Sequence, residues 1–537
     1  TRKSLMAAHT APSASSSRGV GFRSVLAPPS SPPTSLADAT LLGWAADGGM
    51  FWPCRVPSPP LREWAALPYA QLCVRLLQLF ADEEDAELSR ADLARLVGGA
   101  FASFAHEQVV PLSRRGAALS VGELWHGPTL AFKDLGMAVL GRTLSHLLRA
   151  RGERATLLVG TSGDTGSAAM AAVAGLARVE MIVLYPLPPH SSISAVQRRQ
   201  MAAIAEAAPN VHLIGVEGSS DALDVPIEAL FQDQPFKRAH RLGSVNSVNV
   251  IRLLVQAAHY FYLYLQLCPQ ADRQIRFAVP CGAAGHLAAG VLAQCMGLPI
   301  QLVGATNSND ALCQLLSRGV LPHAAVQPTL SPSMDIMLPY NCWRLLFVAS
   351  GGDAAAVRRW QRDAAAGTLR LPAAVVEELR RRVTMETVDD AETMQTMRRE
   401  YGCDGYMLDP HTAVGVAAAL RVARRDSPPA AVPTVCLACA HPIKFLPAVQ
   451  RAIGLSAAEA LQAVNDPTHK WVASVAAMAL SVDCTDQAAP YDAHRTILKQ
   501  GTDWVGILRS HVEAVSALGA SRAAAPPPLS GTDHSRL

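Results

Sequence analysis

Two apolar runs that each break into a glycine-rich loop ahead of an alanine-rich helical pattern restrict the fold more than any other feature. Ala155–Val159 leads into Gly160-Thr161-Ser162-Gly163-Asp164-Thr165-Gly166 and a helical segment through Leu176. Arg276–Val279 leads into Gly282-Ala283-Ala284-Gly285-His286 and a helical segment to Met296. Met181–Leu184, Ile300–Gly304 and Thr434–Leu437 read as further strands. Strands that alternate with helices are joined by crossovers, which make the sheet parallel and bury both of its faces. Ligands in such sheets bind at the loops past the strand C-termini. The expectation is an α/β protein. Its 537 residues exceed one core and predict two to four structural units.

The two loops differ in chemistry. A phosphate monoester needs several N–H donors that converge without side-chain crowding, and small residues at a helix start supply them. Gly282 through Leu287 meets that need, although small residues at a strand–helix turn also serve packing alone. The hydroxyls and free N–H groups of the Thr161–Thr165 segment suit a carboxylate; the alternative is a plain capped turn with Asp164 or Thr165 as cap. A third stretch, Glu123-Leu124-Trp125-His126-Gly127-Pro128-Thr129-Leu130-Ala131-Phe132-Lys133-Asp134, runs from a Gly-Pro turn into the apolar series Phe132, Leu135, Val139, Leu140, Leu144, Leu147 and Leu148. That spacing predicts a helix with Thr129 as N-cap. Lys133 then falls in its first turn, where a cation opposes the helix dipole. On residues alone, Lys133 reads as a solvated surface lysine.

Composition excludes several classes. A formal charge of +3 with 17% charged residues gives no nucleic-acid or membrane-surface signal. No apolar run approaches 18 residues, and Val472–Val482 is too short to span a bilayer. The 11 cysteines are scattered, an odd count that reads as reduced thiols in an intracellular protein. Cys436 and Cys439 form a CxxC with no second pair, which argues against zinc. Residues 1–35 lack acidic side chains and read as a flexible leader or an organelle transit segment, so cytoplasm and plastid or mitochondrion stay open. Residues 36–105 read as a small helical N-terminal domain, 106–455 as a catalytic core, 456–521 as a C-terminal extension, and 522–537 as a disordered tail.

The Glu123–Asp134 stretch closely resembles the cofactor-lysine segment of threonine synthases, His-Gly-Pro-Thr-x-Ala-Phe-Lys-Asp. Asp47-Gly48-Gly49-Met50-Phe51, Asn246-Ser247-Val248-Asn249 with Arg252, Ala305 to Asp310, Ser331 to Ile336, Asp409 to Gly415 and Cys436 to Phe445 resemble further segments of that family. They occur in colinear order from Leu41 to Phe445. The resemblance implies a fold type II enzyme: two parallel-sheet α/β subdomains with pyridoxal 5′-phosphate between them, plus the helical N-terminal domain. It implies that Lys133 forms a Schiff base with the cofactor. Gly282, Ala283, Ala284, Gly285 and His286 would cradle the cofactor phosphate, and Cys439 would face the ring nitrogen. Thr161, Ser162, Gly163, Asp164 and Thr165 would grip the substrate carboxylate, with Asp164 also near the cofactor ring. Asn249 and Arg252, assisted by Ser162, would take the γ-phosphate of O-phosphohomoserine. Cys281, Ala283, Ala284 and His286 replace the family's Thr, Asn, Phe and Asp. Leu187-Pro188-Pro189-His190 replaces a basic segment.

The implied activity is a pyridoxal-phosphate-dependent carbon–oxygen lyase that converts O-phosphohomoserine to threonine and phosphate. Glu217-Gly218, Ser220-Asp221 and the Gly282–Gly285 loop look more like the animal threonine-synthase-like proteins, which implies a phospho-lyase giving 2-oxobutanoate, ammonia and phosphate. A cofactor-binding regulatory homologue is the third reading. The implied partner is a phosphorylated amino acid, with the chain a monomer or homodimer.

Overall fold

The structure, a computed structural model, describes residues 19–82, 87–161, 163–188, 193–218, 221–426, 432–480 and 496–524. Two sheets dominate it. In the larger, six strands lie in the order Val383–Thr387, Ile300–Thr306, Ile275–Pro280, Thr434–Ala438, Leu119–Glu123 and Leu112–Arg114. All neighbours are parallel except the last pair. The smaller sheet runs Thr496–Leu498, Val211–Val216, Val179–Pro186, Ala155–Gly160 and Leu242–Gly243, parallel throughout. Every residue of Val179–Pro186 is buried, as expected for an interior strand with both faces covered. The five strands expected from sequence all lie within observed ones, and the two anion-type loops do leave strand C-termini.

The helix that carries Lys133 begins later than its apolar spacing predicts. It spans Lys133–Ala150 with Phe132 at the cap position, and Thr129 is not its N-cap. Thr129 instead bonds the Asp134 carboxylate through its hydroxyl (2.6 Å) and its N–H (2.8 Å). Asp134 therefore folds the Gly-Pro turn back onto the helix start. Glycine is required at 127, where a Cβ would sit 2.5 Å from the Asp134 Cβ.

The N-terminal unit starts before residue 36. Phe22–Ser24 pairs antiparallel with Phe51–Pro53, and Phe22 is fully buried. Apolar Val20, Phe22, Val25 and Leu26 find partners here, so the part of the expected leader from residue 19 onward is structured. Helices Leu36–Leu42, Leu61–Trp64, Tyr69–Gln78 and Arg90–Phe101 complete the unit. Arg344, wholly buried, ties it to the core by donating to the Phe51 carbonyl (3.1 Å), the Val248 carbonyl (2.6 Å) and Asn341 Oδ1 (2.6 Å). Beyond residue 455 the chain forms helices Ala457–Val464 and Lys470–Leu480 and the edge strand Thr496–Leu498. The helix Trp504–Ala524 runs past the expected start of a tail at 522, because Arg522 pairs with the buried Glu180 at 2.7 Å. Residues 525–537 lie outside the described residues.

Candidate active site

The Lys133 turn is stitched to the loop after strand Thr434–Ala438. Phe132 N–H donates to the Cys439 carbonyl at 2.7 Å, and His441 N–H donates to the Leu130 carbonyl at 3.0 Å. Two regions far apart in sequence thus share one short ladder. Leu130 accepts a left-handed backbone (φ 58°) to make this turn. The Lys133 amine emerges 3.6 Å from Asp164 Oδ2.

Asp164 is buried and heavily bonded. Lys444 Nζ donates to its Oδ1 at 2.7 Å, Gln197 Nε2 to Oδ1 at 2.8 Å and Ser333 Oγ to Oδ2 at 3.2 Å. Burial pushes its carboxyl upward, but Lys444, Lys133 and His411 together outweigh that and hold it well below the usual range. Burial lowers the Lys133 amine. Asp164 and Cys439 oppose the shift, Lys444 and Arg252 reinforce it, and the net direction is down. Lysine in this position is therefore more often neutral than a surface lysine, as a nucleophile or base requires.

The Gly282–His286 loop faces the same centre. Ala284 takes a left-handed conformation (φ 60°) and opens the helix Gly285–Cys295. Among the described residues, no acceptor takes the N–H groups of Gly282, Ala283, Ala284, Gly285 or His286. Asn341 holds the loop from behind, donating to the Ala283 carbonyl through its N–H (3.1 Å) and Nδ2 (3.0 Å). A Cβ at Gly282 would lie 2.8 Å from the Ser333 carbonyl oxygen, so the loop sits flush against Ser333, which itself bonds Asp164. The His286 imidazole contributes differently from the expectation. It stacks on Phe132 (5.4 Å, 5°) and meets His259 Nδ1 at 3.0 Å, and burial pushes it down to about 3. It is neutral and turned inward, so only its N–H remains for an anion.

In the other loop the Thr161 hydroxyl accepts from Gly163 N–H (3.0 Å) and Gly166 N–H (2.8 Å). Thr161 is therefore spent on shaping the loop, leaving the Asp164 and Thr165 N–H groups and the Thr165 hydroxyl without an acceptor among the described residues. Gly163 adopts φ 131°, open to glycine alone. Ser162 lies outside the described residues.

Asn249 departs from its expected role. Its Oδ1 caps the helix Val250–Leu267 through Ile251 N–H (3.0 Å), and its Nδ2 donates to the Thr40 carbonyl (2.9 Å). Both ends of the amide serve structure. Arg252, one turn on, is the opposite case. It is 2% exposed, and neither Nε nor Nη1 has a hydrogen-bond partner. Burial lowers its guanidinium to about 10, and its charge is felt at Lys133. Gly136 packs against it, since a Cβ there would lie in ordinary contact, 3.5 Å from the Arg252 Cα. A buried, unpartnered guanidinium beside the reactive lysine is equipped to receive an anion.

Cys439 is positioned by a relay. Its N–H donates to Thr412 Oγ1 at 2.9 Å, and Thr412 donates to Asp409. Asp409 also bonds His411 Nδ1 at 2.8 Å, and His411 Nε2 accepts from Ser333 N–H at 3.1 Å. Burial, then Asp409, pushes the Cys439 thiol far up, so it stays a thiol. A thiol suits an unprotonated ring nitrogen and cannot hold a pyridinium as a carboxylate would.

The residues thus fit pyridoxal phosphate: free loop N–H groups for its phosphate, a neutral-leaning amine for its aldehyde, and a thiol for its ring nitrogen. Comparisons with known proteins agree. "Threonine synthase N terminus" matches residues 28–101, "Pyridoxal-phosphate dependent enzyme" residues 111–371, and "Threonine synthase, C-terminal" residues 412–486. Threonine synthase-like 2 of Rattus norvegicus is 37% identical over 495 residues, which is 90% of this chain and 96% of that protein.

The chain belongs to the threonine synthase family.

Threonine synthase of Pseudomonas aeruginosa is 40% identical over 438 residues, 80% of this chain and 90% of that one. The threonine synthase of Brucella melitensis, solved with pyridoxal phosphate bound, superposes with a TM-score of 0.81 at 34% identity over 92% of this chain and 99% of that one. The protein is accordingly a fold type II, pyridoxal-phosphate-dependent lyase of this family. No helix among the described residues is long and apolar enough to cross a membrane, and no cluster of His, Cys, Asp and Glu among them could hold a metal.

Sequence reasoning does not single out Lys444, Gln197, Ser333 or the Asp409–His411–Thr412 relay. Lys444 carries a signal: it is the one charged residue between Thr434 and Gln450, and a lysine in so apolar a run needs a buried partner.

Proposed function

We propose that this protein cleaves the carbon–oxygen bond of O-phosphohomoserine, releasing phosphate from Cγ and, with one water added at Cβ, forming threonine. The observation that carries the reading is Arg252. A buried guanidinium without a partner, its charge felt at Lys133 and not needed by the backbone N–H groups of the Gly282–His286 loop, fits a substrate with its own phosphate in addition to the cofactor's.

Bound in this site, pyridoxal 5′-phosphate supplies an electron sink for charge that develops at the substrate Cα. The chain's residues do the rest. The Asp164 and Thr165 N–H groups and the Thr165 hydroxyl receive the carboxylate. Arg252 receives the substrate phosphate and, as that group departs, stabilises the charge it carries away. Lys133, lowered by burial and by its cationic neighbours, accepts the Cα proton. Asp164 fixes the Lys133 amine and is itself fixed by Lys444, Gln197 and Ser333.

A second reading gives 2-oxobutanoate and ammonia in place of threonine. The small-residue loop Gly282-Ala283-Ala284-Gly285 and the 90% coverage by Threonine synthase-like 2 favour it. One assay separates the two: holoenzyme with O-phosphohomoserine, scored for phosphate, threonine and 2-oxobutanoate. Phosphate with threonine supports the synthase. Phosphate with oxoacid and no threonine moves the assignment to the second reading. No phosphate from cofactor-loaded protein refutes both.

A further inference from the structure

A cavity of about 820 Å³ lies among the helices Arg90–Phe101, Lys133–Ala150, Asp164–Val173, Ala195–Ala207 and Lys470–Leu480. It adjoins the turn that presents Lys133, because Pro128, Thr129 and Asp134 form part of its wall. Lys133, Asp164, Arg252, Cys439 and the phosphate loop do not line it. It is therefore separate from the site described above. Its size falls within the range of pockets that hold small molecules and far exceeds the room of one water.

Most of the wall is small and apolar, with Ala100, Ala168, Ala171, Ala203, Val475 and Met478. Two of its polar groups are at least half-buried and leave a charge or an acceptor unmet; Lys470, also on the wall, is exposed and lies against the Trp471 ring. Arg142 is half-buried and makes no hydrogen bond or ion pair with any described residue. Glycine at 99 leaves it room, since a Cβ there would stand 3.2 Å from Nη1. Burial lowers the Arg142 guanidinium, the direction expected of a cation without an anion. Asp134 is the acid on the same wall, but it is eight residues away along one helix, roughly 12 Å. Its carboxylate is also already bonded to Thr129. Gln200 is 4% exposed, and its side-chain oxygen is buried with no donor, while its amide reaches the Pro128 carbonyl only at 3.5 Å. A buried acceptor with no donor is unfavourable and is relieved by a ligand that supplies one. A hole walled by methyl groups, with an unpaired cation and an unmet acceptor, has the complement of a ligand.

We propose that this cavity binds an amphipathic monoanion: an acid group on Arg142, an apolar body along the alanine wall, and one hydrogen-bond donor for Gln200. The assignment is independent of which product the active site makes. The test uses holoenzyme and 8-anilinonaphthalene-1-sulfonate, which combines an anion, apolar rings and one N–H. Trp471 lines the cavity and serves as the local donor for energy transfer.

The expected result is one saturable site per chain, displaced by N-octanoylglycine, with transfer reduced in Trp471→Phe. Arg142→Met should weaken binding at least tenfold, and Ala171→Phe, which fills the cavity, should abolish it, with cofactor content unchanged in both. Absence of saturable binding overturns the proposal, as does binding that both variants leave intact. Loss in Ala171→Phe with no change in Arg142→Met overturns the anion assignment. Should Ala171→Phe fail to fold, Arg142→Met and the Trp471 transfer decide the question.

Discussion

Replacing Lys444 by methionine tests the electrostatic design of the site. Lys444 is fully buried, and its amine donates to Asp164 Oδ1 and to the Thr129 carbonyl, both at 2.7 Å. Methionine keeps most of the volume and removes the charge. Breaking a buried pair from one side costs about 3–5 kcal/mol. Lys133, Gln197 and Ser333 still hold Asp164, which places the loss near the lower end, at about 3 kcal/mol. For a chain of this size that lowers Tm by several degrees. The more specific effect falls on Lys133. Lys444 is one of the charges that depress its amine, and Asp164 is the charge that raises it. Without Lys444, a repulsion disappears and Asp164 interacts more strongly with Lys133, so the amine's pKa rises. Since cofactor capture needs the neutral amine, the rate of pyridoxal-phosphate incorporation into apoenzyme should fall at neutral pH, about tenfold for every pH unit by which the amine titrates higher. Its acid limb should move to higher pH. An acid limb that stays in place, or moves lower, would refute the reasoning even if Tm falls, because a general loss of stability predicts no such displacement.

Three further outcomes follow from individual contacts. Gly282→Ala places a methyl group 2.8 Å from the Ser333 carbonyl oxygen and 3.1 Å from Ile336 Cδ1, so the loop must shift; retention of cofactor on dialysis should drop at least tenfold with little change in circular dichroism. Burial pushes the Asp134 carboxyl up to about 6. A raised folded-state value means that its contribution is full below the ordinary aspartate range and is lost as pH rises through about 6, so ionisation there costs about 3 kcal/mol. The Tm of wild type relative to Asp134→Asn should accordingly fall between pH 4 and pH 7, and a flat difference would count against it. Arg344→Met leaves the acceptors of Phe51, Val248 and Asn341 unmatched in the interior; denaturant melts should show a loss of about 3 kcal/mol or more.

The sequence exposes some parts of this structure and conceals others for identifiable reasons. The strands around Leu157, Ile182, Ala278, Val303 and Cys436 are interior and carry an unbroken apolar centre, so each is visible as a run. Leu119–Glu123 is equally buried in part, yet Gly122 interrupts it, because a Cβ there would meet Leu263 Cδ1 at 2.5 Å. Leu242–Gly243 is two residues at an edge and has no pattern to read. Thr129 misplaces the helix start at Lys133 because it satisfies a capping rule in sequence while Asp134, five residues on, claims its hydroxyl in space. Asn249 and Arg252 look equivalent as polar residues in one motif. Only burial and partners separate them: one amide is consumed by a cap and by Thr40, the other side chain has no acceptor for its Nε or Nη1.

The position of Asp164 connects these observations. It is the first residue of its helix, directly after the Gly163 turn, and every group that holds it comes from elsewhere: Lys133 from the cofactor-lysine turn, Lys444 from beyond the last strand of the large sheet, Gln197 from the next helix, Ser333 from the loop that braces Gly282. A single buried carboxylate therefore registers the small sheet's loop against the Lys133 turn and, through Ser333, against the Gly282 loop. Its charge cannot be removed without leaving two buried ammonium groups to repel each other, nor can Lys444 be removed without changing the basicity of Lys133. Lys133 and Lys444 act as a pair through a shared anion, so a double variant, Lys444→Met with Asp164→Asn, should return the acid limb of cofactor incorporation toward that of wild type. The carboxylate that raises Lys133 and the ammonium that lowers it would then be absent together.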